Sequence, residues 1–161
     1  MKTENSDLEE LKKEYLKIQK KHNLPSFDEL NMDFKIEKID YEETDFLMRD
    51  VREQIGDFLE GFLRLLEAFL NPVNIPMYFF PIVKSLDLED KKILAEMHEK
   101  ISKLMIRSVK LIDYSEKGEA EFIKESFVLW QTIKKDFAVL VGDIEKKIDN
   151  KIKKSERGYF G

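Results

Sequence analysis

Apolar side chains recur every three or four residues in the segment between positions 44 and 70. The series consists of Met48, Val51, Ile55, Phe58, Phe62, Leu65 and Phe69. An α-helix has about 3.6 residues per turn, so this spacing places the whole series along one face. Pro72 lies just beyond this segment and cannot continue a helix. The pattern therefore predicts a long amphipathic helix that starts near Thr44 and ends near Leu70.

Two later segments repeat this helical spacing. The first starts at Asp87, a preferred N-cap residue, and ends near Tyr114. A short connection follows over residues 115–118, in which Gly118 is expected to take the left-handed conformation that ends a helix. The apolar series of the second segment is Ile123, Phe127, Trp130, Ile133, Phe137, Leu140, Ile144, Ile148 and Ile152. Because the connection is short, the two helices are predicted to form an antiparallel hairpin.

The N-terminal part of the chain predicts a further, shorter helix over about residues 6–22. One face of this helix would carry Leu8, Leu11, Tyr15 and Ile18. Asn23 tolerates the left-handed conformation at a helix end, and Pro25 blocks continuation.

A linker is predicted between this helix and the first long one. Ser26 and Glu29 have the spacing of a capping box, which favours one or two helical turns from Phe27 onward. Phe34 and Ile36 then flank a polar residue, and this alternation is typical of an extended chain. Residues 1–42 are therefore expected to hold the N-terminal helix and a partly extended linker.

Together these elements predict an all-α protein with a single helical domain over residues 1–161. The expected architecture is an elongated up-and-down bundle of about four helices, three of them long. Residues 43–154 would form the core of three long helices, and residues 155–161 a tail. A proline-rich, apolar connection would join the second and third helices. The low counts of glycine and proline, 6 and 4, argue against a sandwich or barrel, which needs many turns.

That connection has the sequence LNPVNIPMYFFPIV over residues 70–83, in which three prolines surround four bulky apolar side chains. Burying one such side chain is worth about 1.5–3 kcal/mol, whereas the net stability of a domain is about 5–15 kcal/mol. We therefore expect the cluster to be shielded from water, by folding back over the end of the bundle or under a protein partner or second copy. Insertion into a membrane face is a further alternative. The predicted partner-binding residues are Met77, Tyr78, Phe79, Phe80 and Pro81.

Composition narrows the class of protein. Hydrophobic residues make up 42% of the 161 residues and charged residues 38%, as in globular chains. The absence of cysteine excludes disulfides, thiolate catalysis and Cys-ligated zinc. The polar start lacks the apolar run of a signal peptide, and the longest uncharged run, residues 68–83, is too short to span a bilayer. A cytoplasmic protein without a transmembrane segment is expected.

The net charge of −5 is unevenly distributed along the chain. Residues 28–60 contain twelve acidic and four basic side chains, a balance of −8, whereas residues 145–157 contain six basic and three acidic ones, a balance of +3. The acidic segment argues against binding along a phosphate backbone, but the basic segment keeps this alternative open. The contacts to nucleic acid would then fall on Lys146, Lys147, Lys151, Lys153, Lys154 and Arg157. Aromatic side chains that would stack on bases follow at Tyr159 and Phe160.

The sequence contains no catalytic or metal-binding motif. His22 and His98 are its two histidines, and neither belongs to the Glu-x-x-His pattern of di-metal helical bundles. His98 is interpreted as a packing or surface residue, and His22 as a residue at a helix C-terminus that interacts favourably with the helix dipole when charged. Phosphate-binding glycine loops and nucleophile elbows are also absent from the sequence. We therefore predict no catalytic residue, metal or cofactor.

The function predicted from the sequence is a non-catalytic helical interaction or scaffold module that binds a protein partner or a second copy of itself. One alternative is a nucleic-acid-associated accessory protein that uses the basic C-terminal helix. Another is a ligand-binding bundle or cryptic enzyme, for which a closed pocket lined by Tyr78, Phe79, His98 and Trp130 would be expected.

Overall fold

A computed structural model describes residues 4–40 and 45–158. Over these residues the regular elements are α-helices and short 3-10 turns, with no strand, so the predicted all-α class is confirmed. None of the helices described is long and apolar enough to cross a membrane. The predicted helix start near Thr44 lies outside the described residues. The α-helices are α1 (Glu4–His22), α2 (Phe27–Phe34), α3 (Leu47–Leu70), α4 (Phe80–Ser85), α5 (Leu88–Ser108) and α6 (Glu116–Gly158).

Helices α3, α5 and α6 pack on one another around the core. Glu67, near the end of α3, is 3.0 Å from His98 in the middle of α5, whereas Gly56, in the first half of α3, lies beside Met105 near the end of α5. These two helices therefore run in opposite directions. Helix α6 runs alongside α3 in the same direction, because Arg52 contacts Glu119 and Phe62 contacts Phe137 further along. The residues fully buried between the three helices include Val51, Ile55, Leu59, Leu94, Ile101 and Ile123.

Helix α6 is much longer than its neighbours. Its 43 residues span about 65 Å at about 1.5 Å per residue. Residues 149–158 are all exposed, so the C-terminal part of α6 projects beyond the core. Residues 155–158, which were assigned to a tail, continue this helix.

Helices α1 and α2 complete the fold against one side of α3 and α6. Tyr15 of α1 is buried beside Phe27 of α2, with ring centroids 5.7 Å apart, and its hydroxyl donates a hydrogen bond to the carbonyl of Pro25 over 2.7 Å. Burial and the charge of Glu29 raise the pKa of Tyr15 well above its usual range, burial being the larger cause. The phenol therefore links α1 to the connection that leads into α2.

The helix caps predicted from sequence are present, with one exception. Ser26 and Glu29 form the predicted capping box at the start of α2, and Asp87 caps α5 through the backbone N–H of Asp90. Asn23 has the predicted left-handed conformation, with φ of 52°. Gly118 does not end a helix: it lies within the first turn of α6, where its N–H donates to the hydroxyl of Ser115. Ser115 thus caps the start of α6, the second helix of the hairpin, three positions before Gly118.

The predicted extended linker around Phe34 and Ile36 is wrong. Helix α2 continues to Phe34, and Ile36–Lys38 form a 3-10 turn. Lys35 has a left-handed conformation with φ of 57°, and its N–H donates to the carbonyl of Asn31. This turn lets Phe34 and Ile36 both face the core, where both are buried.

Candidate functional site

The proline-rich connection is folded into helical turns. Pro76 precedes the 3-10 turn Met77–Phe79, and α4 follows directly. Pro81 lies in the first turn of α4. Backbone N–H groups in a first turn have no acceptor within the helix, so the missing N–H of proline costs no helical hydrogen bond there. Its carbonyl accepts a hydrogen bond from the hydroxyl of Ser85 over 2.8 Å. The prolines here therefore start helical turns as well as ending α3.

One of the four bulky side chains in this connection packs on the core. Phe79 is half-buried, and its ring meets that of Phe69 edge to face at 5.3 Å. By contrast, Met77 is 81% exposed, Tyr78 72% and Phe80 42%. A 3-10 turn contains about three residues, so neighbouring side chains point in different directions. Within the single chain, Phe79 thus packs against the end of the core, whereas Met77, Tyr78 and Phe80 remain exposed.

We call the exposed face formed by Met77, Tyr78, Phe80 and Pro81 the α4 surface. The basic end of α6 lies beside it, because α4 packs on α6 and Lys151 Nζ is 3.4 Å from the carbonyl oxygen of Lys84. The fold therefore brings together two regions that were considered separately in the sequence, the apolar cluster and the basic segment.

Lys147 fixes this end of α6 to the start of α5. Its Nζ donates hydrogen bonds to Oδ2 of Asp87 over 2.7 Å and to Oδ2 of Asp90 over 2.6 Å. The hydrogen bond from Lys147, followed by one from the backbone of Asp90, lowers the pKa of Asp87 to about 2. The same carboxylates raise the pKa of Lys147. Lys147 is thus part of the scaffold that supports the α4 surface.

We expect Asp87→Asn to reduce stability at neutral pH but not near pH 2. Asparagine is an equally good N-cap residue, so the substitution removes the charge that Lys147 binds and keeps the cap. Because the folded-state pKa of Asp87 lies below its ordinary value of 3.8, its contribution is present above about pH 4 and is lost as the pH falls towards about 2. Urea midpoints of both proteins measured across this range test the prediction, and a difference independent of pH would contradict it.

The six cations predicted as nucleic-acid contacts divide into two groups. The first group, Lys146, Lys147 and Lys151, makes contacts within the chain. In this group, Lys146 contacts the carboxylate of Asp143. The second group, Lys153, Lys154 and Arg157, is exposed on the projecting end of α6. Tyr159 and Phe160 lie outside the described residues. Three of the six cations therefore already have partners within the chain, of which that of Lys146 is a surface ion pair on the same helix.

A buried ion cluster at the opposite end of the core was not predicted from sequence. Glu119 is completely buried, and Oε2 accepts a hydrogen bond from Nε of Arg52 over 2.8 Å. Nε of Arg49 is 3.7 Å from Oε1, and its guanidinium lies 5.3 Å from the centre of the Tyr114 ring. The signal available in the sequence was a pair of arginines three positions apart at the start of a long amphipathic helix. The cluster joins α3 to α6, with two arginines of α3 at one buried carboxylate of α6.

Both histidines lie at contacts between helices. Nε2 of His22 is 2.8 Å from Oε1 of Glu116, and Nε2 of His98 is 3.0 Å from Oε1 of Glu67. Hydrogen bonds from Lys21 and then from His22 lower the pKa of Glu116. Among the described residues, no group of three or more His, Cys, Asp or Glu is placed to hold a metal ion.

The four residues expected to line a ligand pocket are dispersed. Tyr78 faces solvent, Phe79 packs on the core, and His98 binds Glu67 at the surface of the helix pair. Trp130 is buried in an aromatic cluster, which is described below. No protein family model, curated protein or solved structure matches this chain. The function is therefore inferred from these residues and their geometry.

Proposed function

We propose that the protein is a non-catalytic helical interaction module that self-associates through the α4 surface. The observation that carries this proposal is the high exposure of Met77 and Tyr78 next to an anchored Phe79. Apolar side chains of this size are worth about 1.5–3 kcal/mol each when they are covered. The α4 surface is thus an energetically favourable place for another molecule to bind.

The side chains on this surface are those that protein interfaces use. Methionine, tyrosine and phenylalanine are enriched in interface cores relative to the remaining protein surface. A few such residues supply most of the binding energy in an interface. Here Phe79 is packed on Phe69, and Lys147 anchors the adjacent helix, so the surface is presented on a fixed support. A partner would therefore lose little affinity to ordering of this segment.

A second copy of the chain offers a surface of complementary charge. The α4 surface lies beside Lys84 and Lys151 and the projecting basic end of α6. The acidic residues Asp50, Glu53 and Asp57 lie on the first half of α3, towards the other end of the core. Contact between these unlike regions of two copies would pair opposite charges. Such a contact can also repeat from copy to copy, because it joins different surfaces.

The scaffold we propose for this module is the up-and-down bundle of four helices expected from the sequence. In this arrangement α1 is the first helix, and the proline-rich connection between α3 and α5 carries the binding surface. No catalytic residue, metal or cofactor enters the proposal.

Sedimentation velocity over a range of protein concentrations tests the proposal. We expect the average mass of the natural protein to rise with concentration, and a Met77→Ser/Tyr78→Ser variant to remain monomeric. The matched control is Met32→Ser/Ile112→Ser, which removes two apolar side chains of similar exposure, 73% and 80%, away from the α4 surface. This control should associate like the natural protein.

Two results would overturn the proposal. One is a natural protein that sediments as a monomer at every concentration. The other is association that the Met77→Ser/Tyr78→Ser variant retains in full, since the contact would then lie elsewhere.

A further inference from the structure

An apolar cavity of about 260 Å³ lies behind α4, between this helix and the three long helices. Its wall combines buried and half-buried side chains, so the cavity is partly enclosed. Glu145 is the charged residue of the lining, and it is exposed. The apolar side chains that line the cavity include Leu65, Phe69, Phe79, Ile82, Leu140 and Ile144.

The chemistry of this wall selects an uncharged, apolar occupant. Aliphatic and aromatic carbons form nearly all of it, so a polar group placed inside would lose its hydrogen bonds to water without replacement. The carboxylate of Glu145 would also repel an anionic group at the rim. A hydrocarbon group needs no hydrogen-bond partners. It would also make van der Waals contacts with wall atoms that face empty space when the cavity is unoccupied.

The volume indicates how large this group is. An engineered cavity of roughly 150 Å³ lined by Leu, Ile and Phe stays dry and binds benzene. The cavity behind α4 has similar walls and about 260 Å³, so its occupant would be longer than one aromatic ring. An aliphatic chain fits this requirement, because seven of the lining residues are leucine, isoleucine or valine.

Helix α4 forms part of the cavity wall that lies nearest the surface. Ile82 of α4 and the preceding Phe79 form one wall, and both are only half-buried. Val141 and Ile148 of α6 are half-buried on the opposite side. An apolar molecule can therefore enter from the surface between α4 and α6.

We propose that this cavity is a binding site for an uncharged aliphatic chain, such as the hydrocarbon part of a small amphiphile. The site does not depend on self-association, because Met77, Tyr78 and Phe80 do not belong to its lining. Failure of one proposal therefore leaves the other standing.

Titration with the uncharged fluorophore N-phenyl-1-naphthylamine, followed by displacement with 1-decanol, tests this site. We expect saturable binding of one fluorophore per chain and complete displacement by decanol. Val141→Phe, which fills the cavity, should weaken binding about tenfold or more. Val139→Phe is the matched control, because Val139 is 66% exposed on the same helix and does not line the cavity. It should bind like the natural protein.

Two further variants protect the test from misinterpretation. Leu65→Phe fills the cavity from α3 and should also weaken binding, so a folding defect in one variant does not decide the outcome; circular dichroism checks both. Met77→Ser removes an apolar side chain that is 81% exposed and does not line the cavity, and it should leave binding unchanged. The proposal is overturned if the natural protein shows no saturable binding, if both cavity-filling variants bind normally, or if the Met77→Ser variant loses binding.

Discussion

Replacing Glu119 with alanine is expected to lower the free energy of unfolding by about 3 kcal/mol or more. Removing one partner of a buried ion pair leaves the other charge uncompensated, which typically costs about 3–5 kcal/mol. Arg52 would lose its 2.8 Å hydrogen bond to Glu119, and Arg49 would lose the nearest carboxylate in this cluster. Both guanidinium groups are mostly buried. Arg52 would keep its surface contact with Glu53. Arg49, by contrast, would be left against the rings of Phe46 and Tyr114.

Chemical denaturation followed by the fluorescence of the single tryptophan measures this loss. Glu121→Ala is the matched control, because it removes the same charge from the same turn of α6 at an exposed position. The salt bridge of Glu121 to Lys117 spans 3.9 Å at the surface, and such pairs contribute about 0–1 kcal/mol. Equal effects of the two substitutions would show that burial of Glu119 between the arginines is not what stabilises this end of the core.

Trp130→Ala is expected to cost about 3–5 kcal/mol, the range measured when a large aromatic side chain is removed from a core. Trp130 lies at the centre of an aromatic cluster that connects α2, α3 and α6. Its ring meets Phe58 at 4.8 Å and Phe62 at 5.0 Å edge to face, and Phe34 at 6.5 Å. Alanine would leave a cavity bordered by all three rings.

The control for this substitution is Trp130→Phe. Nε1 of Trp130 is buried and has no hydrogen-bond partner among the described residues, so this substitution breaks no hydrogen bond seen there. We expect a smaller cost than for alanine, because phenylalanine keeps one aromatic ring in the cluster and leaves a smaller cavity. Urea denaturation followed by circular dichroism compares the variants. A cost for Trp130→Phe as large as that for alanine would contradict the role assigned to aromatic packing.

The long helices were predictable because their apolar periodicity continues over many turns. Met48, Val51 and Ile55 are buried as the α3 pattern requires, and Trp130 and Ile133 are buried on α6. The ends of these helices were predictable where a residue type has a single strong local role, as with Asp87 at the start of α5. Periodicity and capping therefore determine most of the all-α fold.

Short segments were less predictable, because a few residues cannot distinguish the apolar period of a helix, about 3.6 residues, from that of a strand, two residues. Phe34 and Ile36 alternate like a strand, yet they are the end of a helix and the start of a turn, joined by Lys35 in a left-handed conformation. Lysine gives no signal for that conformation. In the proline-rich connection, the apolar composition predicted burial, but the 3-10 turn directs Phe79 inward and leaves Met77 and Tyr78 exposed.

The buried position of Glu119 could not be predicted from its neighbours in sequence. An acidic residue in the first turn of a helix is favourable at the surface, because it interacts with the helix dipole. Its burial depends on Arg49 and Arg52, which are more than sixty positions away in the sequence and reach it only when α3 lies beside α6. Such a contact is a property of the tertiary packing, which local patterns do not contain.

Oxidation footprinting of the methionines tests most directly whether other copies of the chain cover the α4 surface. Met77 and Met32 are similarly exposed in the single chain, 81% and 73%, so hydroxyl radicals should oxidise them at comparable rates in dilute solution. We predict that the rate at Met77 falls relative to that at Met32 as the protein concentration rises. A ratio that stays constant over the full concentration range would contradict self-association through this surface.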